Sequence, residues 1–140
     1  MYLIDTNVIS EARKADKADA GVRGFLRGAA EQRQRLFLSV VMLGELRRGV
    51  ELIRYRGDAG QAQRLEDWLQ TVVSDYGDQI LSLDADVAQV WGRSRVPHHE
   101  NALDKQIAAT ALVYDLTLVT RNTKDFAATG VRVLNPFAAP

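Results

Sequence analysis

Tyr2-Leu3-Ile4-Asp5-Thr6-Asn7 decides how this chain is read: a short apolar run closes on a carboxylate, and a helical pattern begins directly after it. Apolar residues bounded by a charge read as a β-strand, which places Asp5 at the strand's carboxyl end. Three further carboxylates, Glu45, Asp104 and Asp125, also follow or interrupt apolar segments that ordinarily exclude charge.

Outward from that stretch the same alternation recurs. The pattern predicts strands at Tyr2–Ile4, Leu36–Ser39, Ile80–Leu83, Leu116–Thr120 and Val131–Leu134. Helices are predicted at Thr6–Lys14, Ala18–Glu31, Val40–Arg54, Gly60–Tyr76, Ala85–Arg93, Leu103–Tyr114 and Lys124–Thr129. Strand–helix alternation argues for a three-layer α/β domain, with a central, mostly parallel sheet flanked by α-helices. Gly57, Gly60, Gly77, Pro97, Gly130 and Pro136 punctuate the elements. No repeat or linker interrupts residues 1–140, so a single domain is expected.

Composition narrows the function classes. With 140 residues, 46% of them hydrophobic, the chain can bury roughly two-thirds of its unfolded surface. Eighteen basic and eighteen acidic residues balance to zero net charge, so any nucleic-acid contact needs a local basic patch. The absence of cysteine excludes disulfides, thiolate metal sites and cysteine nucleophiles. Asp5 and Glu11 interrupt the start where a signal peptide needs an apolar core. No apolar run approaches the ~18 residues of a membrane span. The cytoplasm is the expected location.

In an open parallel sheet, ligands bind outside the carboxyl ends of the strands. Asp5 stands at one such end, and Asp125 follows another within Thr120-Arg121-Asn122-Thr123-Lys124-Asp125-Phe126. Glu45 falls at the edge of the apolar stripe Met42, Leu43, Leu46, Val50 and Ile53. Asp104 shares a helical face with Ile107, Ala108 and Ala111. Each acid also has an ordinary structural explanation. Asp5 or Asp125 would cap a helix, Asp104 would complement a helix dipole, and Glu45 would bond an arginine such as Arg48. Brought together, the four would repel unless a divalent cation neutralised them. That points to Mg²⁺- or Mn²⁺-dependent phosphodiester chemistry.

Other motifs carry less. The adjacent pair His98-His99 lacks the helical spacing of a zinc site and reads as loop. Arg47, Arg48, Arg54 and Arg56, with Arg93, Arg95 and Arg121, form a basic set suited to phosphate contacts or to a solvated, salt-bridged face. Arg121, beside the rim, is the stronger phosphate candidate. Thr6 and Thr120 carry hydroxyls near the same rim, or serve a helix start and a strand end.

Four segments together resemble the PIN domain, and within it the VapC/FitB-like toxins of type II toxin–antitoxin modules. They are Leu3-Ile4-Asp5-Thr6-Asn7-Val8-Ile9-Ser10-Glu11, Gly44-Glu45-Leu46-Arg47-Arg48-Gly49, Asp104-Lys105-Gln106-Ile107-Ala108-Ala109-Thr110-Ala111 and Thr120-Arg121-Asn122. The resemblance implies a metal-dependent endoribonuclease with Asp5, Glu45 and Asp104 at the family's first three acidic positions. Where some relatives carry the fourth acid this chain has Asn122. Asp125 is therefore the fourth candidate, with Asn122 as its neighbour, and occupancy of a second metal is put in question. Asp5 and Asp104 would bind the principal Mg²⁺ (or Mn²⁺), Glu45 would hold the ion or orient water, and Asp125 would support a second ion. Thr6, Asn122, Thr120 and Arg121 would lie behind these acids or contact substrate.

The resemblance also implies partners: an RNA substrate, a cognate antitoxin, and operator DNA reached only through that antitoxin. A homodimer is implied as well; Val22, Phe25, Leu26, Trp68 and Leu69 are candidates for its apolar surface, and core packing explains them equally well. Alternatives are a DNA-directed nuclease using the same acids, or a PIN scaffold kept for protein contacts alone. A haloacid-dehalogenase-like phosphatase would need a second aspartate where this chain has Asn7.

Overall fold

A computed structural model describes residues 1–138. The chain runs β1 (Tyr2–Ile4), α1 (Thr6–Ala12), α2 (Ala20–Glu31), β2 (Leu36–Ser39), α3 (Val40–Tyr55), α4 (Ala59–Tyr76), β3 (Ile80–Leu81), α5 (Ala85–Ser94), α6 (Ala102–Val113), β4 (Thr117–Val119) and β5 (Val133–Leu134). All strand pairings are parallel, in the order β3-β2-β1-β4-β5. The expected α/β architecture, a parallel sheet flanked by helices, is what forms.

β1 lies at the centre, paired with β2 on one side and β4 on the other. Leu3, Ile4, Leu118 and Val119 are fully buried there, as strands covered on both faces require. Val8, Val22, Met42, Val72, Ile107 and Ala111 pack onto the same core from the helices. α6 is buried along Ile107-Ala108-Ala109-Thr110-Ala111, and its small side chains permit a close approach. A satellite cluster of Val50, Ala62 and Leu69 joins α3 to α4.

Capping side chains set five helix starts. Asp5, Asp19, Ser39, Asp58 and Asp84 accept backbone N–H groups at α1, α2, α3, α4 and α5. Element ends differ from the sequence expectation by a few residues. The last predicted helix, Lys124–Thr129, is instead a 3₁₀ turn over Thr123–Phe126. Its anchor Phe126 is 1% exposed, and one buried aromatic fixes a turn without supporting a long helix.

Of the candidates for a dimer surface, some take the core alternative. Val22 and Leu69 are buried within their own chain, and Phe25 stands edge-on to Tyr2 with ring centroids 5.1 Å apart.

Candidate active site

The chain extends from β1 to β2 and β3 on one side, then returns to β4 and β5 on the other. The reversal falls between β1 and β4, and a crevice outside the carboxyl ends of such a pair is where open α/β sheets bind ligands. Asp5 follows β1 and Thr120 follows β4, joined at the base by the Asp5 N–H donating to the Val119 carbonyl at 2.9 Å.

Asp5 is 5% exposed, and its carboxylate is fully engaged. Oδ1 accepts the Thr6 N–H at 2.8 Å and the Thr6 hydroxyl at 3.4 Å. Oδ2 accepts the Thr120 hydroxyl at 2.8 Å and the Asn7 amide at 3.4 Å. The capping explanation for Asp5 is therefore correct, and it is compatible with a site, since a cation would displace only the two long donors at 3.4 Å and leave the two at 2.8 Å in place. Asn7, which sequence reasoning passed over, ties the two loops together. Its Nδ2 donates to Thr120 Oγ1 at 3.3 Å and its Oδ1 accepts the Arg121 N–H at 3.0 Å. Its place two residues after Asp5 was the available signal. Asn122 contributes its backbone N–H to Thr120 Oγ1 at 3.0 Å.

Glu45 projects from α3 and Asp104 from the first turn of α6, both half-buried. Burial, then the charges of Asp5 and Asp104, raise Glu45 above the ordinary glutamate range. Asp104 is raised by burial and then by Asp125 and Asp5. The four acids thus form one electrostatic group around Asp5 and Asp104. Among the described residues none of the four joins a salt bridge, and Glu45 does not pair with Arg48. Asp125 is exposed in the 3₁₀ turn, whose N-cap position is Asn122, so it does not cap that turn.

Among the described residues, no three His, Asp or Glu side chains stand close enough to grip an ion directly. Magnesium keeps several of its waters and uses one or two carboxylates. An all-oxygen acidic rim, none of whose four carboxylates joins a salt bridge among the described residues, offers the hard donors that Mg²⁺ or Mn²⁺ takes and does not fit a softer metal.

The basic residues divide. Arg47 bridges Glu51 at 3.0 Å and Glu66 at 2.7 Å, and Arg54 bridges the same two acids at 2.6 and 3.1 Å. These guanidinium groups form a salt-bridged helix face, the plainer of the two readings. The guanidinium of Arg121 lies 4.0 Å over the Phe137 ring, on the side of Asp19, so it is packed against the C-terminal segment. His98 and His99 are exposed in the loop before α6. Glu45 and Thr6 also line a cleft of about 310 Å³ with Leu46, Ile53 and Trp68.

The sequence profile described as "PIN domain" matches residues 2–131. The chain is 35% identical to "Toxin FitB" of Neisseria gonorrhoeae, over 98% of this chain and 99% of that protein. It is 29% identical to "VapC ribonuclease Y4jK" of Sinorhizobium fredii, over 98% of each. The solved structure of FitAB bound to an IR36 DNA fragment superposes with a TM-score of 0.82 at 30% identity, over 100% of this chain and 98% of that one. With this sheet, this acidic rim and these relatives, the chain belongs to the PIN-domain family.

Proposed function

We propose that this chain is a metal-dependent endoribonuclease acting as the toxin of a type II toxin–antitoxin module. The observation that carries the proposal is the gathering of Asp5, Glu45, Asp104 and Asp125 into one acidic group, none of which joins a salt bridge among the described residues. Similarity to a FitB toxin and a VapC ribonuclease supports it.

Asp5 and Asp104 would hold the principal ion, Mg²⁺ or Mn²⁺, and exposed Asp125 would support a second. Bound there, the ion would supply an acidified water and would neutralise charge on the phosphoryl oxygens. Thr120 and Asn7 keep the Asp5 carboxylate in one orientation throughout. Glu45, half-buried and facing the charges of Asp5 and Asp104, would help hold the ion or orient the attacking water. Attack by water in line with the leaving 3′-oxygen leaves a 5′-phosphate and a 3′-hydroxyl. Attack by the RNA 2′-hydroxyl would leave a 2′,3′-cyclic phosphate.

The partner reading follows the same relatives. A small cognate antitoxin would lay a segment along the cleft beside Glu45, and a guanidinium from it would satisfy the rim in place of the metal. Operator DNA would be reached through that antitoxin. The toxin would act as a homodimer.

The test is RNA cleavage by antitoxin-free protein with Mg²⁺ or with EDTA, for wild type and Asp5→Asn. Cleavage should require the metal and fall at least about a hundredfold in the variant. Full activity in EDTA or in Asp5→Asn, or products ending in cyclic phosphate, would overturn the reading.

A further inference from the structure

A second cleft of about 270 Å³ shares the acidic rim, lined by Ser94, Asn101, Asp104, Lys105, Asp125 and Thr129. Among the described residues that line it, the cation is Lys105. Among the described residues Lys105 forms no ion pair with Asp104 or Asp125, although it lines the same wall. Its Nζ donates to the His98 carbonyl, which draws the ammonium toward the loop before α6. An ammonium has three donors, so two are left for another partner. The neighbouring hydroxyls are already spent: Ser94 donates to the Trp91 carbonyl and Thr129 to the Phe126 carbonyl, each at 2.6 Å.

A phosphodiester entering a rim of carboxylates meets repulsion on every side except where a cation stands. We propose that this cleft is the subsite for the RNA backbone next to the cleaved bond, with Lys105 binding the flanking phosphate. The inference rests on the nuclease reading above. It adds a direction: the strand leaves the carboxylates along α6 and the 123–129 segment, away from the apolar cleft that takes Glu45.

The experiment measures RNA cleavage against salt concentration for wild type, Lys105→Gln and Lys105→Arg, with Asp5→Asn alongside and a Mg²⁺ titration for each. Glutamine keeps a donor for the His98 carbonyl and removes the charge, so a role confined to pinning the loop is largely preserved in it. Lys105→Gln should raise KM about fivefold to tenfold with kcat little changed. It should also flatten the dependence of log kcat/KM on log salt by about 0.7, the loss of one single-strand phosphate contact. Lys105→Arg should restore both. An unchanged salt slope, or a change confined to Mg²⁺ half-saturation, would overturn the subsite. In either outcome an inactive Asp5→Asn leaves the nuclease reading standing, whereas an active one removes it.

Discussion

Asp5 meets two demands with two oxygens. Oδ1 satisfies the orphan N–H of Thr6, as an N-cap does. Oδ2 is held by the Thr120 hydroxyl, which is fully buried and in turn accepts from Asn7 and Asn122. Such a network is stable when every member is satisfied and costly when one is removed. Thr120→Val keeps the shape and deletes the hydroxyl. It should cost about 1–3 kcal/mol and lower the melting temperature by about 5 °C. It should also reduce RNA cleavage, because Asp5 loses its restraint. Unchanged thermal melting in Thr120→Val would show that the network does not hold this corner.

At the scale of elements, the start of α2 is the joint that closes the molecule. Asp19 accepts the N–H groups of Gly21 and Val22 and also that of Ala138, at 2.8, 3.1 and 2.9 Å. Glu11 of α1 in turn accepts the Asp19 N–H at 2.8 Å. The C-terminal segment therefore crosses Gly21 closely. A Cβ there would stand 2.2 Å from the Pro136 carbonyl oxygen and 2.6 Å from the Ala138 nitrogen, both backbone atoms. Gly21→Ala should then destabilise by about 1–3 kcal/mol, despite alanine's better helix propensity. A chain ending at Asn135 should lose most of that penalty, and thermal melts of the four combinations would measure the coupling. Equal penalties in the long and short chains would contradict the close crossing.

Across the whole molecule, the fold gathers acids from β1, α3, α6 and the turn after β4 onto one rim, and the metal-free protein bears their repulsion. Glu45 shows the consequence. Its proton affinity is raised by burial first, then by Asp5 and Asp104. A raised folded pKa contributes stability below the ordinary glutamate value of 4.5, and that contribution is lost as pH rises through the folded value. In EDTA near neutral pH, Glu45→Gln should therefore melt above wild type, and the advantage should vanish in acid. Because Glu45 is half exposed, solvent screening keeps the difference to about 1 kcal/mol or less. Saturating Mg²⁺ should reverse the order, since bound metal stabilises the wild type that holds it better. A variant that melts below wild type in EDTA would show that the rim is not repulsive.

Much of this was legible in the chain itself. Apolar runs and helical periods are local signals, so the alternation of elements, the acid closing β1 and the edge position of Glu45 could be read directly. The 3₁₀ turn at Thr123–Phe126 carries the local signal of a longer helix because one buried Phe imitates an apolar period over so short a span. The tertiary structure decided which strands became neighbours. Placing β1 against β4 brings Thr120 to Asp5 across 115 residues, a contact no local pattern encodes. It likewise laid Arg121 on Phe137, bound Arg47 and Arg54 to Glu51 and Glu66, and left Lys105 without an ion pair among the described residues. A side chain's partners depend on distances that exist only after the sheet has closed, whereas its tendency to end a strand or open a helix is present before folding begins.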